Sequence, residues 1–517
     1  MIQKRSWMVG TLLALLAGEY GCYRSEPAPT PTVEAAATAL AAPAEEPPPA
    51  APGREGWLGV YLGEQKVGFS HWREFPTTYN GREALAVEAT EMVNFAMMGQ
   101  QAEQSIIVTQ VCDPDFTPRE MTVTLQSGGR TTAIRADFTP HEVQCQIITQ
   151  QATTSKTVPI PPGVRLVADE NSLLLKEDLQ VGETVEFYVF NPITLTVDKL
   201  KLETLGREAV TIHGQTYQTC KGTLHLRMMD AIIPATVWVD ETGEMVKMQT
   251  LLNLTYLKEP QEKAMDVPTE RSALVDLALA TSIRPDVPLE NFRQCRRLRL
   301  RIQGLRDPER LPQDERQQVI LHPADGSLEL LTTASEFPAS ESVSLPIPRE
   351  RWAEFLKAGP YVEADHPDIL KQAQEIVGSE KNAYRAALKI SQWVHDRIQV
   401  QFNIGIFRSA LDILHDPAGV CRDAAVLYTA LARAAGIPTR VCAGLVYLRG
   451  VFMGHAWAES WVGRWVPFDP TRPGPFVDAT HLKFAQGEYT AMFEVLRAMG
   501  TTQIQVLEQD APPPASP

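Results

Sequence analysis

The chain has 517 residues, room for about three domains at ~150 residues each. With 44% hydrophobic and 21% charged residues it is neither a disordered, a collagen-like nor a coiled-coil sequence. A net charge of −15 without a long basic block argues against nucleic acid as a partner, because neutralising phosphates needs clustered Lys and Arg.

In chain order, the first element is an address. Lys4 and Arg5 precede a mostly apolar run from Trp7 to Gly18. A membrane span needs ~20 residues, so this run is too short to span and has the shape of a secretory signal. Cys22 follows Gly21, and the stretch from Cys22 to Gly53 holds eight prolines in 32 residues. Such a segment builds neither ladders nor helices, so residues 23–55 should form a stiff, solvated tether. Residues 1–22 resemble a bacterial lipoprotein leader. That resemblance implies lipidation of Cys22 and an exported, membrane-anchored protein. Plain signal cleavage, leaving a soluble periplasmic protein, is the other reading. No later stretch is long and apolar enough to be a transmembrane helix.

Residues 56–258 are dense in short strand signals. Trp57 to Leu62 and Lys66 to Phe69 flank a Gly63-Glu64-Gln65 turn, and Thr236 to Val239 and Met245 to Met248 flank Asp240 to Glu244. An antiparallel β-rich domain is expected. Residues 259–350 should hold a capped linker helix over Thr269 to Leu279 and then a second, small β-rich unit. In that unit Arg296 to Ile302 alternates basic and apolar residues, as a half-buried strand with a wet face does.

Residues 351–505 read differently, and 506–517 read as a disordered tail. Asn382 to Gln399 spaces its apolar residues as a helix does. Cys421 opens a second helix rich in Ala and Leu, which Gly436-Ile437-Pro438 stops. Apolar runs follow at Thr439 to Leu448, His455 to Val462 and Trp465 to Asp469. A helix followed by short strands makes this part α+β. Seven cysteines in this length are no disulfide scaffold, although export would permit a bridge or two. Neither C-x-x-C nor H-E-x-x-H occurs, so no metal site and no cofactor are expected.

A cysteine at the first turn of a helix faces unpaired backbone N–H groups and the positive end of the dipole, which favour thiolate over thiol. A thiolate nucleophile needs a base, and the base needs an orienting acceptor. His455 and Asp469, on successive strand runs, are the available pair. Four segments carry a resemblance: Gly419-Val420-Cys421-Arg422-Asp423, Ala434-Ala435-Gly436-Ile437-Pro438, Gly454-His455-Ala456-Trp457-Ala458-Glu459 and Trp465-Val466-Pro467-Phe468-Asp469-Pro470-Thr471. Together, in this order and spacing, they resemble the transglutaminase-like superfamily, whose core is papain-like with a Cys-His-Asp triad. The resemblance implies Cys421 as nucleophile, His455 as base and Asp469 as orienting acid. It implies acyl transfer through a thioester on peptide or carboxamide bonds, with hydrolysis favoured over cross-linking. The Cys421 backbone N–H would be one oxyanion donor, with Gln401 and Asn403 the side-chain candidates for a second. The substrate is then a peptide or protein, in the envelope if the leader is read correctly. The contrasting expectation is a tethered interaction module with a vestigial fold, which the intact Cys421, His455 and Asp469 argue against.

Parity adds a geometric expectation. To touch, His455 and Asp469 must share a face of their hairpin. A two-residue turn at Gly463-Arg464 would pair Val462 with Trp465 and turn the carboxylate away. The loop must therefore hold an odd number of residues or a bulge. A three-residue loop Trp461-Val462-Gly463 would pair Ser460 with Arg464 and set His455 opposite Asp469, with Ala456 and Ala458 leaving room for a neighbour on the other face.

Overall fold

The alternating runs between residues 54 and 258 pair as strands, and the reason is local. In the strand Gln100–Cys112 every second residue from Ala102 to Cys112 is buried, the period of a pleated strand with one covered face. The first hairpin closes at Leu62 and Gln65 across a two-residue turn with Gly63 at φ 61°. The computed structural model of the protein describes residues 53–149, 153–168, 181–228, 231–250, 254–270, 274–322, 324–402, 408–487, 495, 498 and 502–511. Residues 1–52, which include the leader, Cys22 and most of the tether, lie outside these, as does Asn403.

Among the described residues fourteen strands form one antiparallel sheet. From Arg54–Leu62 in its middle, the chain steps outward strand by strand to Thr153–Pro159 at one edge. It resumes at the opposite edge with Thr184–Asn191 and steps inward to Leu254–Lys258, which pairs with the first strand. A second, four-stranded sheet has the order Gln317–His322, Ser327–Thr333, Arg297–Gln303, Gln503–Asp510. In its Arg297–Gln303 strand Leu298, Leu300 and Ile302 are buried, while Arg299 on the other face pairs with Glu329.

Two expectations are corrected here. Of Thr269 to Leu279, only Leu277 to Leu279 are helical among the described residues, in the short helix Leu277–Ala280 that Asp276 caps. The preceding backbone is taken by the large sheet. Val275 accepts from the Ala96 N–H, and the Asp276 carboxylate accepts from the Met98 and Gly99 N–H groups. Long-range pairing has overridden the local helix signal. The tail from 506 is likewise ordered as far as Asp510, because Gln503–Asp510 adds to the edge of Arg297–Gln303.

The last third builds a sheet of four strands in the order Trp465–Phe468, Val451–Trp461, Thr439–Leu448, Leu482–Gly487. Helix Ala383–Arg397 is capped by Asn382, whose side chain accepts from the Arg385 N–H. Helix Cys421–Ala434 ends as expected: the Ile437 N–H returns to Ala432 O and the Gly436 N–H to Arg433 O. It packs on the sheet through Tyr428, whose ring stacks on Phe468 and whose hydroxyl meets Ser460 at 2.8 Å. The large sheet shares one hydrophobic core with this domain and makes polar contacts with it. Arg130 pairs with Asp416 at 2.5 Å, the Thr149 hydroxyl donates to Asp412 at 2.7 Å, and the Tyr361 hydroxyl donates to Ile193 O at 3.2 Å. No helix among the described residues is long and apolar enough to cross a membrane.

The side of the four-stranded sheet carrying Glu459 is charged and buried. Glu459 accepts two hydrogen bonds from Arg440, at 3.0 and 2.7 Å, and further ones from Lys483 at 2.8 and 3.0 Å. Lys483 also reaches Asp314, and Arg440 lies 4.2 Å over the Trp465 ring. Burial would push Glu459 up, but the Lys483 and Arg440 charges hold it below the usual carboxylate range. Lys483→Ala would leave two carboxylates short of a cation in a dry site, which costs about 3–5 kcal/mol in comparable cases. A urea titration should show a loss of that size, and a loss below about 1 kcal/mol would contradict this reading of the network.

Candidate active site

Cys421 is the first residue of its helix and is fully buried. The segment leading into it is held from both sides. The Asp423 carboxylate, in the first turn, reaches back to the Val420 N–H at 2.8 Å. Residues Ala418–Gly419 pair in parallel with Gln399–Val400, and the Gln401 N–H donates to Gly419 O at 3.0 Å. Gln401 thus lies beside the residues that precede Cys421. The buried Arg408 guanidinium donates to Ala418 O and to Asp416 O, bracing the same segment.

His455 and Asp469 are brought together. Their contact is a hydrogen bond of 2.9 Å between His455 Nε2 and Asp469 Oδ2, between side chains 0% and 1% exposed. The carboxylate accepts, so Nε2 carries the hydrogen and Nδ1 is the basic nitrogen of this tautomer. Their shared face comes from an odd loop, as parity requires, but one residue further along than expected. Trp461 pairs with Trp465, so the loop is Val462-Gly463-Arg464 with Gly463 at φ 127° in its middle. Continued past the strand end, this register sets Asp469 across from Trp457 and diagonal to His455. Tryptophan therefore stays in the ladder on both sides, where Trp461 and Trp465 pack around Trp352, instead of tipping the loop.

A residue that sequence reasoning missed completes the site. His481 Nε2 lies 3.1 Å from the same Asp469 Oδ2, and its Nδ1 lies 3.2 Å from Asp478 Oδ1. The two aspartates are held by the same device. Asp469 Oδ1 accepts from the Thr471 N–H and hydroxyl, and Asp478 Oδ1 accepts from the Thr480 N–H and hydroxyl. Arg472 flanks both, with Nε 3.6 Å from Asp469 and Nη1 3.5 Å from Asp478. The repeated pattern Asp469-Pro470-Thr471 and Asp478-Ala479-Thr480 was the available signal. Its meaning depends on the fold, because the 12 residues from Asp469 to His481 pass through a loop that returns to the sheet.

That return is possible because Gly444 stands opposite His455 in the central strand pair. A Cβ there would lie 1.8 Å from Leu482 O, so only glycine lets the strand Leu482–Gly487 come this close and bring His481 alongside. The smaller sheet clamps the same stretch. The Thr332 hydroxyl donates to Ala479 O at 2.6 Å, and the Gln317 amide pairs with both backbone groups of Lys483.

Electrostatics follow from this packing. Burial alone would raise the Asp469 carboxyl, but the His455 charge, the histidine hydrogen bonds and Arg472 hold it well below the usual carboxylate range. Asp478 is lowered in the same way, against its burial, by His481 and Arg472. Burial pushes the Cys145 thiol up to about 11 and the Cys295 thiol up to about 12, and raises Cys442 well above its ordinary value. No disulfide forms among the six described cysteines. His455, Asp469 and His481 are also a set of metal-ligand type, their ligand atoms all within 4.8 Å of one another.

Comparison with known proteins agrees with the motif reading. Residues 371–470 match the family model of the transglutaminase-like superfamily. Residues 60–256, within the large sheet, match a family described as a protein of unknown function, DUF3108. Over 164 residues the chain is 27% identical to the uncharacterized protein ML0607 of Mycobacterium leprae (strain TN). That match covers 28% of this chain and spans 58% of the relative's length. Among solved structures, a candidate cysteine protease from Cytophaga hutchinsonii is 19% identical, covering 42% of this chain and 93% of its own, at TM-score 0.33. A candidate protease from Parabacteroides distasonis is 12% identical, covering 76% of this chain and 69% of its own, at TM-score 0.19.

Depressed carboxylates set a pH dependence. Asp469 and Asp478 ionise more readily folded than unfolded, so their stabilisation is fully present above the unfolded value of about 4. It is lost as pH falls below about 4 toward their folded values. The denaturant midpoint should therefore drop steeply with acid below about pH 4 and be flat near neutrality. In Asp478→Asn the acid slope should be shallower, measured as midpoint against pH.

Proposed function

We propose that the chain is a cysteine-dependent acyl-transfer enzyme that acts on peptide or carboxamide bonds, with hydrolysis as the principal outcome. The observation that carries this reading is the buried His455–Asp469 hydrogen bond within a transglutaminase-like domain whose Cys421 heads a helix. In this mechanism Cys421 Sγ attacks the substrate carbonyl carbon while its proton passes to His455 Nδ1. The tetrahedral oxyanion is met by the Cys421 backbone N–H, with Gln401 and Asn403 as candidates for the second donor. Collapse breaks the C–N bond, His455 protonates the departing amine, and a thioester remains for water to hydrolyse. Asp469 holds the imidazole in the productive tautomer throughout. The leader supports the further proposal that the enzyme is exported, tethered through Cys22 by the Pro-rich segment, and meets peptide substrates in the envelope.

The test is alkylation with iodoacetamide at pH 6, where the thiols raised by burial are unreactive. Cys421 should be labelled fast and selectively, read by peptide mass spectrometry. His455→Ala should slow that labelling by at least tenfold, and Cys421→Ala should abolish both labelling and amide hydrolysis while leaving the fold intact. Labelling spread evenly over the cysteines, or wild-type amidase activity in Cys421→Ala, would overturn the assignment.

A further inference from the structure

We propose that His455, Asp469 and His481 form a binding site for a single divalent transition-metal ion of the zinc class, and that an ion held there blocks the chemistry proposed for the same residues. The consequence for chemistry rests on the functional reading above; the binding site does not.

One carboxylate oxygen, Asp469 Oδ2, faces two imidazole Nε2 atoms, at 2.9 Å for His455 and 3.1 Å for His481. Zinc bonds to N and O of about 2.0–2.1 Å put neighbouring ligand atoms of a tetrahedron about 3.3–3.4 Å apart. The two edges to Asp469 need open by only a few tenths of an ångström, and the two imidazole nitrogens, within 4.8 Å of each other, settle to the same spacing around an ion that stands where the shared hydrogens now lie. Two nitrogens and one carboxylate oxygen suit Zn²⁺ and its first-row neighbours, while Mg²⁺ and Ca²⁺ require more oxygen ligands.

The surroundings are those of a built site. A metal-binding histidine usually has its second ring nitrogen held by a carboxylate or carbonyl. His481 Nδ1 is so held by Asp478 Oδ1 at 3.2 Å, and Asp478 is fixed in turn by Thr480. Asp469 keeps its other oxygen on Thr471, leaving Oδ2 for the histidine pair. A cavity of about 570 Å³, lined among others by Asp469, Arg472, Asp478 and His481, gives access from solvent and room for a water as fourth ligand. Arg472 is the resident competitor. Its Nη2 lies 3.4 Å from His481 Nε2 and its Nε 3.6 Å from Asp469 Oδ2, but its side chain is 25% exposed and can swing into the cavity. Guanidinium and metal ion are therefore alternatives at one mouth.

The effect on chemistry is direct. Coordination through His455 Nε2 and Asp469 Oδ2 replaces the hydrogen bond that selects the imidazole tautomer, and leaves the base bound to a cation.

The test uses the full chain carrying Cys421→Ala, stripped with chelator and then titrated with Co²⁺ and Zn²⁺ alone. Binding is read from the visible absorption of Co²⁺ and from competition with a chromophoric zinc indicator. One ion per chain is expected, with a four-coordinate Co²⁺ spectrum lacking a thiolate charge-transfer band. His481→Ala should weaken binding at least 100-fold, Asp478→Asn about tenfold, and Arg472→Ala should tighten it. His481→Gln, with its circular dichroism compared to the parent, guards against a variant that merely fails to fold and should also weaken binding. No binding at micromolar metal, or binding unchanged in both His481 variants, would overturn the site. In the wild-type chain Zn²⁺ should slow Cys421 alkylation with the same affinity; zinc bound at this site with alkylation untouched would overturn the blocking role alone.

Discussion

A carboxylate buried as deeply as Asp469 is tolerable only when every lone pair is engaged, and the C-terminal domain of this protein is arranged around meeting that condition. Two histidines, a threonine and an arginine converge on its two oxygens. Remove water from such a group without those partners and it would protonate, at which point it could no longer orient an imidazole. Each partner arrives from a different part of the chain. His455 comes from a central strand, Thr471 and Arg472 from the turn after the edge strand, and His481 from the residue just before the strand Leu482–Gly487 at the other edge of the sheet. Gly444 is where these demands meet in the backbone, since it faces His455 in one direction and Leu482 in the other.

The smaller sheet has a definite part in this arrangement. Its Thr332 and Gln317 fasten Ala479 and Lys483, the residues on either side of His481. Cys295 O, just before its first strand, accepts from the Ala479 N–H. A unit that in sequence reads as an appendage is thus the clamp on the site's second histidine. The large sheet plays a comparable part at the other end. Its polar contacts with the C-terminal domain include Arg130 to Asp416 and Thr149 to Asp412, on the segment that Arg408 ties to the approach to Cys421. The two β-rich units therefore bear on the two ends of the candidate site.

Much of this was legible in the sequence because it is set by near neighbours. Hairpins need alternation and a turn, so the large sheet and the Arg297–Gln303 strand could be read residue by residue. The Cys421 helix declares its start and stop within its own residues, and the requirement that His455 and Asp469 share a face follows from the two-residue period of a strand. The motifs carrying the superfamily resemblance lie in short contiguous segments, which is why the domain at 371–470 was visible before its fold.

The features that sequence left open are those of groups whose partners lie far away in the chain. The loop register moved by one residue because Trp461 and Trp465 pack on Trp352, more than a hundred residues away in sequence. The expected helix at Thr269 to Leu279 yielded to sheet pairing at Ala96, and the tail became a strand by joining Arg297–Gln303. The only local mark near His481 is the repeated Asp-x-Thr pattern, and it could not be read as part of the site because that role depends on Gly444 letting one strand approach another. Local propensity and period determine elements and faces; which elements meet, and so which side chains share one buried oxygen, is decided by packing across the whole domain.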